Sequence, residues 1–194
     1  RVDGFGEYKV LGRTRDDAAG ESFDKVAKML KLGYPGGPLI EKKARLGNAL
    51  AHRFPRAFLE KGSLDFSFSG LKTSVRNIIS KRETGETPSL SDSDISAGFQ
   101  MAVIDVLTDK VFLACEKEKV NRIVVTGGVA ANSTLRKRIA TEANNRGLKS
   151  YFPKPNLCTD NAAMIACAGY YKILNKSFTL KDTLSLDAKA SLKL

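Results

Sequence analysis

The stretch VVTGGVAANSTLR at residues 124–136, taken together with CTDNAAMIACAG at 158–169, decides the fold class of this chain. The first stretch has the pattern of a hydrophobic strand, a Gly-Gly turn and the start of a helix. The second places Thr159, Asp160 and Asn161 at the start of another helix. Together the two stretches predict part of a nucleotide and metal site.

Along the rest of the chain, the spacing of apolar residues switches between the period of a strand and the period of a helix. Strands are predicted at 7–13, 64–69, 122–126 and 149–152. Helices are predicted at 16–32, 38–50, 70–82, 92–118, 131–146 and 160–174, with a glycine-rich loop at 33–38. Strands that alternate with helices predict an α/β fold with a parallel or mixed sheet. A polar surface loop is expected at 83–94 and a weakly patterned tail at 176–194.

Composition favours a soluble protein with a packed core. The chain has 194 residues, of which 42% are hydrophobic and 27% charged. No segment approaches the roughly 18 apolar residues that a membrane span needs, and no signal peptide is visible. We therefore expect a cytoplasmic protein without a membrane partner. The chain starts at Arg1 rather than Met, so we also expect a fragment of a longer protein.

Cysteine and histidine usage excludes several site types. Cys115, Cys158 and Cys167 are far apart and form no CxxC pair, which argues against a disulfide framework or a structural zinc site. The single histidine, His52, rules out an HExxH protease motif within the chain. The net charge of +11 fits a polyanionic partner, although a basic soluble surface explains it equally well.

The glycine turn is the first candidate site. Gly127 and Gly128 follow a strand and would let a phosphate approach the backbone, and the start of the next helix would offer unpaired amides. A tight turn without a ligand is the alternative. Asn132 could bind a ribose or base, or it could cap the helix. Asp160 could bind a divalent metal, or it could be a helix cap.

A second group of candidates lies nearer the N-terminus. Asp24, within the first predicted helix, could accept hydrogen bonds from ribose hydroxyls, or it could be an exposed helical carboxylate. Gly37 would let a ligand ring lie against the backbone, and Glu41 would follow it on a helix face. Phe66 and Phe68 fit a core or an interface better than a stacking platform.

Four segments together resemble the TsaD family, once called the glycoprotease or O-sialoglycoprotein endopeptidase family. They are DDAAGESFDKVAKMLKLGYPGGP, DFSFSGLKTSV, VVTGGVAANSTLR and CTDNAAMIACAG, in this order within residues 16–169. The resemblance implies an actin-like, Hsp70 and sugar-kinase (ASKHA) type of ATPase fold. Residues 1–194 would form the C-terminal part of this two-subdomain fold and comprise most of its second subdomain.

The resemblance also implies an activity. The family transfers a threonylcarbamoyl group from threonylcarbamoyl-AMP to N6 of adenosine at position 37 of tRNAs that read ANN codons. The implied adenylate site consists of Asp24, Gly37, Glu41 and Asn132. The implied metal ligand is Asp160, for iron by family, or for zinc or magnesium. The implied partners are tRNA, a TsaB-like paralogue and a TsaE-like small ATPase.

The chain lacks two motifs of this family. An HxxxH helix supplies the family's other metal ligands and an SGGH-type loop contacts substrate; both would precede Arg1, and His52 matches neither. We therefore expect this chain alone to hold part of the site and to be inactive. The sequence leaves two alternative functions: a non-catalytic binding or assembly module, and a metal-dependent glycoprotein endopeptidase, which the missing protease motifs disfavour.

Overall fold

The computed structural model describes residues 1–56, 60, 62–86, 90–174 and 187. The chain divides into two compact units, Leu11–Cys158 and a smaller one made of Arg1–Val10 with Thr159–Leu194. The described helices are α1 (Ala19–Met29), α2 (Gly36–Ala44), α3 (Ser69–Glu83), α4 (Asp92–Glu118), α5 (Ser133–Asn145) and α6 (Ala162–Leu174). The strands are β1 (Val2–Gly4), β2 (Glu7–Tyr8), β3 (Arg122–Val124) and β4 (Lys149–Tyr151). Short 3₁₀ turns cover Gly128–Ala131 and Pro155–Leu157.

Helices α1 to α4 build the main core of the larger unit. The apolar residues of α1 recur at helical spacing, and this face is buried as predicted. The core cluster takes residues from all four helices, including Phe23, Ile40, Leu71 and Phe99. The rings of Phe23 and Phe99 meet edge to face, with centroids 5.1 Å apart.

Helix α4 runs through both cores of the larger unit. It begins at a capping box, in which the Ser91 hydroxyl accepts from the Asp94 amide and the Asp94 carboxylate accepts from the Ser91 amide. Its C-terminal half supplies Ile104, Phe112 and Cys115 to a second cluster around β3 and α5. The predicted helix over 92–118 is therefore confirmed.

The stretch after α4 forms a parallel strand–helix–strand unit. Strands β3 and β4 pair in parallel, with Ile123 opposite Ser150, and α5 connects them. Leu135 and Ile139 of α5 are buried against this pair and α4. This is the βαβ arrangement that the glycine-turn stretch predicts.

The smaller unit contains a hairpin and a helix. Strands β1 and β2 pair antiparallel around a turn in which Gly6 adopts a φ of +86°. The ring of Phe5 stacks on Tyr171 of α6 at a centroid distance of 4.8 Å. Helix α6 has no buried residue. Among the described helices, none is long and apolar enough to cross a bilayer.

Two predicted strands are wrong in extent or kind. The strand predicted at 7–13 is limited to β2, because pairing with β1 ends there and Leu11 begins the other unit. The strand predicted at 64–69 is a single bridge between Thr14 and Phe66. Phe68 is fully buried and Phe66 partly, so the alternation records burial against the core rather than a sheet.

Helix α2 and the loop predicted at 83–94 also differ from their predicted bounds. Helix α2 begins at Gly36, inside the loop predicted at 33–38, because the Gly36 amide donates to Asp24 Oδ1 at 2.7 Å. It ends at Ala44 rather than at residue 50, since Gly47 must pass close to the Ser93 carbonyl. The loop predicted at 83–94 stops before α4; residues 87–89 lie outside the described residues. The predicted tail at 176–194 lies outside them too, apart from Asp187.

Two adjacent glycines of α2 provide a matched test of this packing. A Cβ on Gly36 would lie 2.6 Å from both the Asp24 Cα and the Phe23 carbonyl oxygen. We expect Gly36→Ala to destabilise the chain by about 2–3 kcal/mol, because backbone atoms must move to admit the methyl group. A Cβ on Gly37 would meet nothing within 4 Å, so Gly37→Ala should be neutral or stabilise by up to about 1 kcal/mol.

Denaturant unfolding followed by circular dichroism measures both variants. Equal stability of the two variants would contradict the packing described for α1 against α2.

Candidate functional site

A cavity of about 610 Å³ opens beside α1 in the larger unit. Its lining includes Asp24, Tyr34 and three lysines, Lys25, Lys28 and Lys31. The volume is in the range of small-molecule sites. Tyr34 is 82% exposed, so its ring is open to a ligand. The cavity therefore combines a carboxylate, an aromatic ring and positive charge.

Asp24 is half-buried at the edge of this cavity. Its Oδ1 accepts the Gly36 amide at 2.7 Å, and no other partner of Asp24 is found in the described part of the chain. This bond ties α1 to the start of α2 and orients the carboxylate. Next to it, Gly37 has open space where a Cβ would be. Asp24 and Gly37, which the sequence places in one group of candidates, thus both lie next to Gly36.

The lysines of the cavity differ in their partners. Lys25 pairs with Glu21 at 2.7 Å and with Asp17 at 3.0 Å, and these hydrogen bonds raise the pKa of Lys25 to about 12. No ion pair of Lys28 or Lys31 occurs within the described ranges. Lys28 and Lys31 are exposed, so their charge is available to an anion at the cavity.

Glu41 lies on α2 and contacts the start of α5. Its Oε1 accepts the Ser133 amide at 3.0 Å, the Ser133 hydroxyl, and Arg45 Nη2 at 3.1 Å. Burial alone would raise the pKa of Glu41, but the donors on Ser133 and Arg45 outweigh it and hold the pKa below its usual value. In this structure Glu41 therefore acts as a long-range cap of α5.

Asn132 is buried and bonded on both sides of its amide. Oδ1 accepts the Leu135 amide at 2.9 Å, which caps α5, and Nδ2 donates to Gln100 Oε1 at 2.8 Å. The helix-cap alternative for Asn132 is therefore correct, while its contact with a nucleotide stays a prediction. Gln100 is missing from the sequence predictions, although a glutamine among the apolar residues of α4 was a visible signal.

The glycine turn is open. Gly127 has a φ of +90°, and a Cβ on Gly127 or Gly128 would meet nothing within 4 Å. Helix α5 begins at Ser133 rather than at residue 131, because Gly128–Ala131 forms a 3₁₀ turn first. The expectation of unpaired amides at this helix start is wrong for Ser133 and Leu135, which donate to Glu41 and Asn132.

Asp160 precedes α6 in the smaller unit. Asn161 caps this helix, since its Oδ1 accepts the Met164 amide at 3.0 Å. The helix-cap alternative for Asp160 is therefore wrong, because the neighbouring residue takes that role. The Asp160 side chain is exposed, and a carboxylate suits a hard divalent cation. The described residues contain no group of three or more histidine, cysteine, aspartate or glutamate side chains that could hold a metal ion, and metal binding by Asp160 stays a prediction.

Comparison with known proteins gives consistent matches. The family model described as tRNA N6-adenosine threonylcarbamoyltransferase, TsaD, matches residues 1–167. A protein of that name from Desulfitobacterium hafniense (strain Y51) is 54% identical over 91% of this chain and 51% of its own length. Proteins of the same name from Thermodesulfovibrio yellowstonii and Clostridium perfringens (strain SM101) are 52% and 47% identical over 100% of this chain. The chain spans 57% and 56% of their lengths, and so about half the length of these relatives.

The role of Glu41 as a cap predicts a pH-dependent stability. Glu41→Gln should cost about 1 kcal/mol at neutral pH, because a weaker acceptor faces the start of α5. The pKa of Glu41 is lowered from 4.5 on folding, so its contribution is complete above about pH 4.5 and is lost as pH falls through the folded pKa. The difference in unfolding free energy between wild type and variant should therefore shrink in acid.

Urea unfolding at a series of pH values measures this difference. Glu83→Gln is the control, since Glu83 is exposed at the end of α3. A Glu41→Gln cost that is the same at every pH would argue against a charged cap.

Proposed function

This chain belongs to the tRNA N6-adenosine threonylcarbamoyltransferase (TsaD) family, and from that premise we propose that it is part of an enzyme that forms threonylcarbamoyladenosine in tRNA. The observation that carries the proposal is the match over residues 1–167 together with 47–54% identity to proteins of that name. The chain spans about half of those relatives, so the site is proposed to be shared with further sequence.

The proposed fold of the whole enzyme is the actin-like, Hsp70 and sugar-kinase type, with this chain as most of the second subdomain. The parallel β3–α5–β4 unit supports this proposal, since such folds repeat strand–helix units around a nucleotide. The open glycine turn directly after β3 is where a phosphate would approach.

The proposed ligand of the larger unit is threonylcarbamoyl-AMP. The cavity beside Asp24 is large enough for the nucleoside part, and the Gly36 amide holds the carboxylate ready for ribose hydroxyls. Gly37 leaves room for a ring at the backbone. Lys28 and Lys31 favour an anionic ligand at the same cavity.

The proposed reaction is an acyl transfer. The N6 amine of the tRNA adenosine attacks the carbamoyl carbon, a C–N bond forms, the bond from that carbon to the phosphate oxygen breaks, and AMP leaves. The amine loses one proton to water. AMP is a good leaving group, so no enzyme nucleophile is required, and positioning with electrostatic stabilisation suffices. The residues of this chain would bind the adenylate and orient its carbamoyl carbonyl for attack.

The proposed cofactor is one divalent metal, iron by family, or zinc or magnesium. When bound, it would supply positive charge to the phosphate and the transferred carbonyl. The donor available in this chain is the exposed carboxylate of Asp160, which helix capping by Asn161 leaves unused. The other ligands would come from the rest of the enzyme or from substrate.

The proposed partners are tRNA, a TsaB-like paralogue and a TsaE-like small ATPase in the cytoplasm. The net charge of +11 supports tRNA as a partner, because neutralising phosphates releases counterions.

Replacing Asp160 with Asn in the complete protein tests the proposal. We expect metal affinity to fall about 100-fold or more, and threonylcarbamoyladenosine formation at limiting metal to fall with it, because a neutral amide is a poor ligand. Metal content by mass spectrometry and product nucleoside by chromatography are the two measurements.

The neighbouring substitution Asn161→Ala is the matched control. It removes the cap of α6 and should lower stability by about 1 kcal/mol while it keeps the carboxylate and the metal. Full activity of Asp160→Asn at limiting metal would exclude the metal role. A wild-type protein that forms no modified tRNA with its partners would overturn the proposed function itself.

A further inference from the structure

Arg136 is the residue of the VVTGGVAANSTLR stretch that no role above explains. It lies near the start of α5, and its guanidinium is partly buried, whereas the next two residues, Lys137 and Arg138, are exposed. The position of the side chain is therefore set by contacts rather than by solvent.

The guanidinium of Arg136 joins two separate segments of the larger unit. Nε donates to the carbonyl of Ala130, at the end of the 3₁₀ turn that follows Gly127. Nη2 donates to the carbonyl of Pro153 at 2.6 Å and contacts Cys158 Sγ at 3.1 Å. The planar fork of arginine can serve such divergent acceptors at one time, and an ammonium cannot do so in the same geometry.

Aromatic and sulfur contacts hold this fork in place. The Cζ atom of Arg136 lies 5.3 Å from the centroid of the Phe152 ring, within the range of a cation–π contact. Cys158 is 4% exposed and its Sγ lies 3.6 Å from the carbonyl oxygen of Lys154. The segment 152–158 therefore contacts the guanidinium through Phe152, Pro153 and Cys158, while Ala130 accepts from Nε.

The partners of Arg136 are informative because they are neutral. In the described part of the chain, they are two carbonyls, a thiol and an aromatic ring, with no carboxylate among them. The guanidinium of a surface arginine that serves only solubility would be exposed to solvent. Here Nε and Nη2 bind the backbone of Ala130, within the turn that follows Gly127 and Gly128, and the segment at 153–158.

We propose that Arg136 is a positioning residue that sets the glycine turn at 127–131 in the conformation that binds the phosphate of the adenylate. This inference rests on the proposed function. A glycine turn with open space around it can adopt many conformations. Hydrogen bonds from a side chain outside the turn are therefore needed to preorganise its amides. Arg136 provides such a hydrogen bond from α5. The start of α5 is itself held by Asn132 and Glu41.

The test compares Arg136→Met, Arg136→Lys and Cys158→Ala with the matched control Arg138→Met in the complete protein. We expect Arg136→Met to lower kcat/KM for threonylcarbamoyl-AMP about 10- to 100-fold, with most of the loss in KM. AMP binding by calorimetry should weaken in parallel. Arg136→Lys keeps the charge on a compact ammonium without the planar fork and should restore part of the loss, and Cys158→Ala should have a smaller effect. Arg138→Met should match the wild type.

Amide hydrogen exchange separates positioning from general stability. In Arg136→Met, exchange should rise in 127–131 and 153–158 and stay unchanged in α1 and α3. Should Arg136→Met fail to fold, Arg136→Lys and Cys158→Ala carry the same measurements.

Each outcome decides between the two ideas. A folded Arg136→Met with the KM, AMP affinity and turn exchange of the wild type would overturn the role of Arg136 alone. A wild-type protein that binds neither AMP nor threonylcarbamoyl-AMP would overturn the proposed function, and the positioning role would fall with it.

Discussion

The burial of α4 is the constraint on which the rest of the larger unit depends. Fourteen of its 27 residues are buried, and they point to more than one side. Its N-terminal half packs with α1, α2 and α3 through residues such as Ile95 and Phe99. Its C-terminal half packs with β3 and α5 through Phe112 and Cys115. A helix buried on several sides cannot shift without disrupting both cores. Helix α4 therefore supports both the region of the cavity beside α1 and the glycine turn.

Polar contacts complete this support at the start of α5. Gln100 on α4 accepts a hydrogen bond from Asn132, and Glu41 on α2 accepts one from Ser133, the two residues that open α5. Buried polar groups are costly when left without partners, so this network is specific as well as stabilising. Three elements are thereby tied to a single point directly after the glycine turn. Glu41 and Asn132, for which the sequence suggests ligand contacts, thus hold the start of α5 in this structure.

The local patterns of the chain predict its elements well where an element is long and periodic. The Ser91–Asp94 capping box marks the first turn of α4, and the apolar spacing of α1 marks its buried face. The same reasoning fails where a short pattern has two physical causes. Alternation around Phe66 and Phe68 records core burial and not a strand. Asp160 precedes a helix as a cap would, yet the next residue, Asn161, is the cap.

By itself, the sequence determined the kind and order of the long helices, the apolar faces that build two cores and the segments that carry the family resemblance. Tertiary structure alone decided which partner each polar side chain takes. Glu41 and Ser133 are 92 positions apart. Asp16 and Phe68, whose amide donates to Asp16 at the start of α3, are 52 positions apart. Arg136 meets Cys158 across 22 positions. No local periodicity encodes such pairs, because they form only when packed helices bring distant backbone groups within hydrogen-bonding reach.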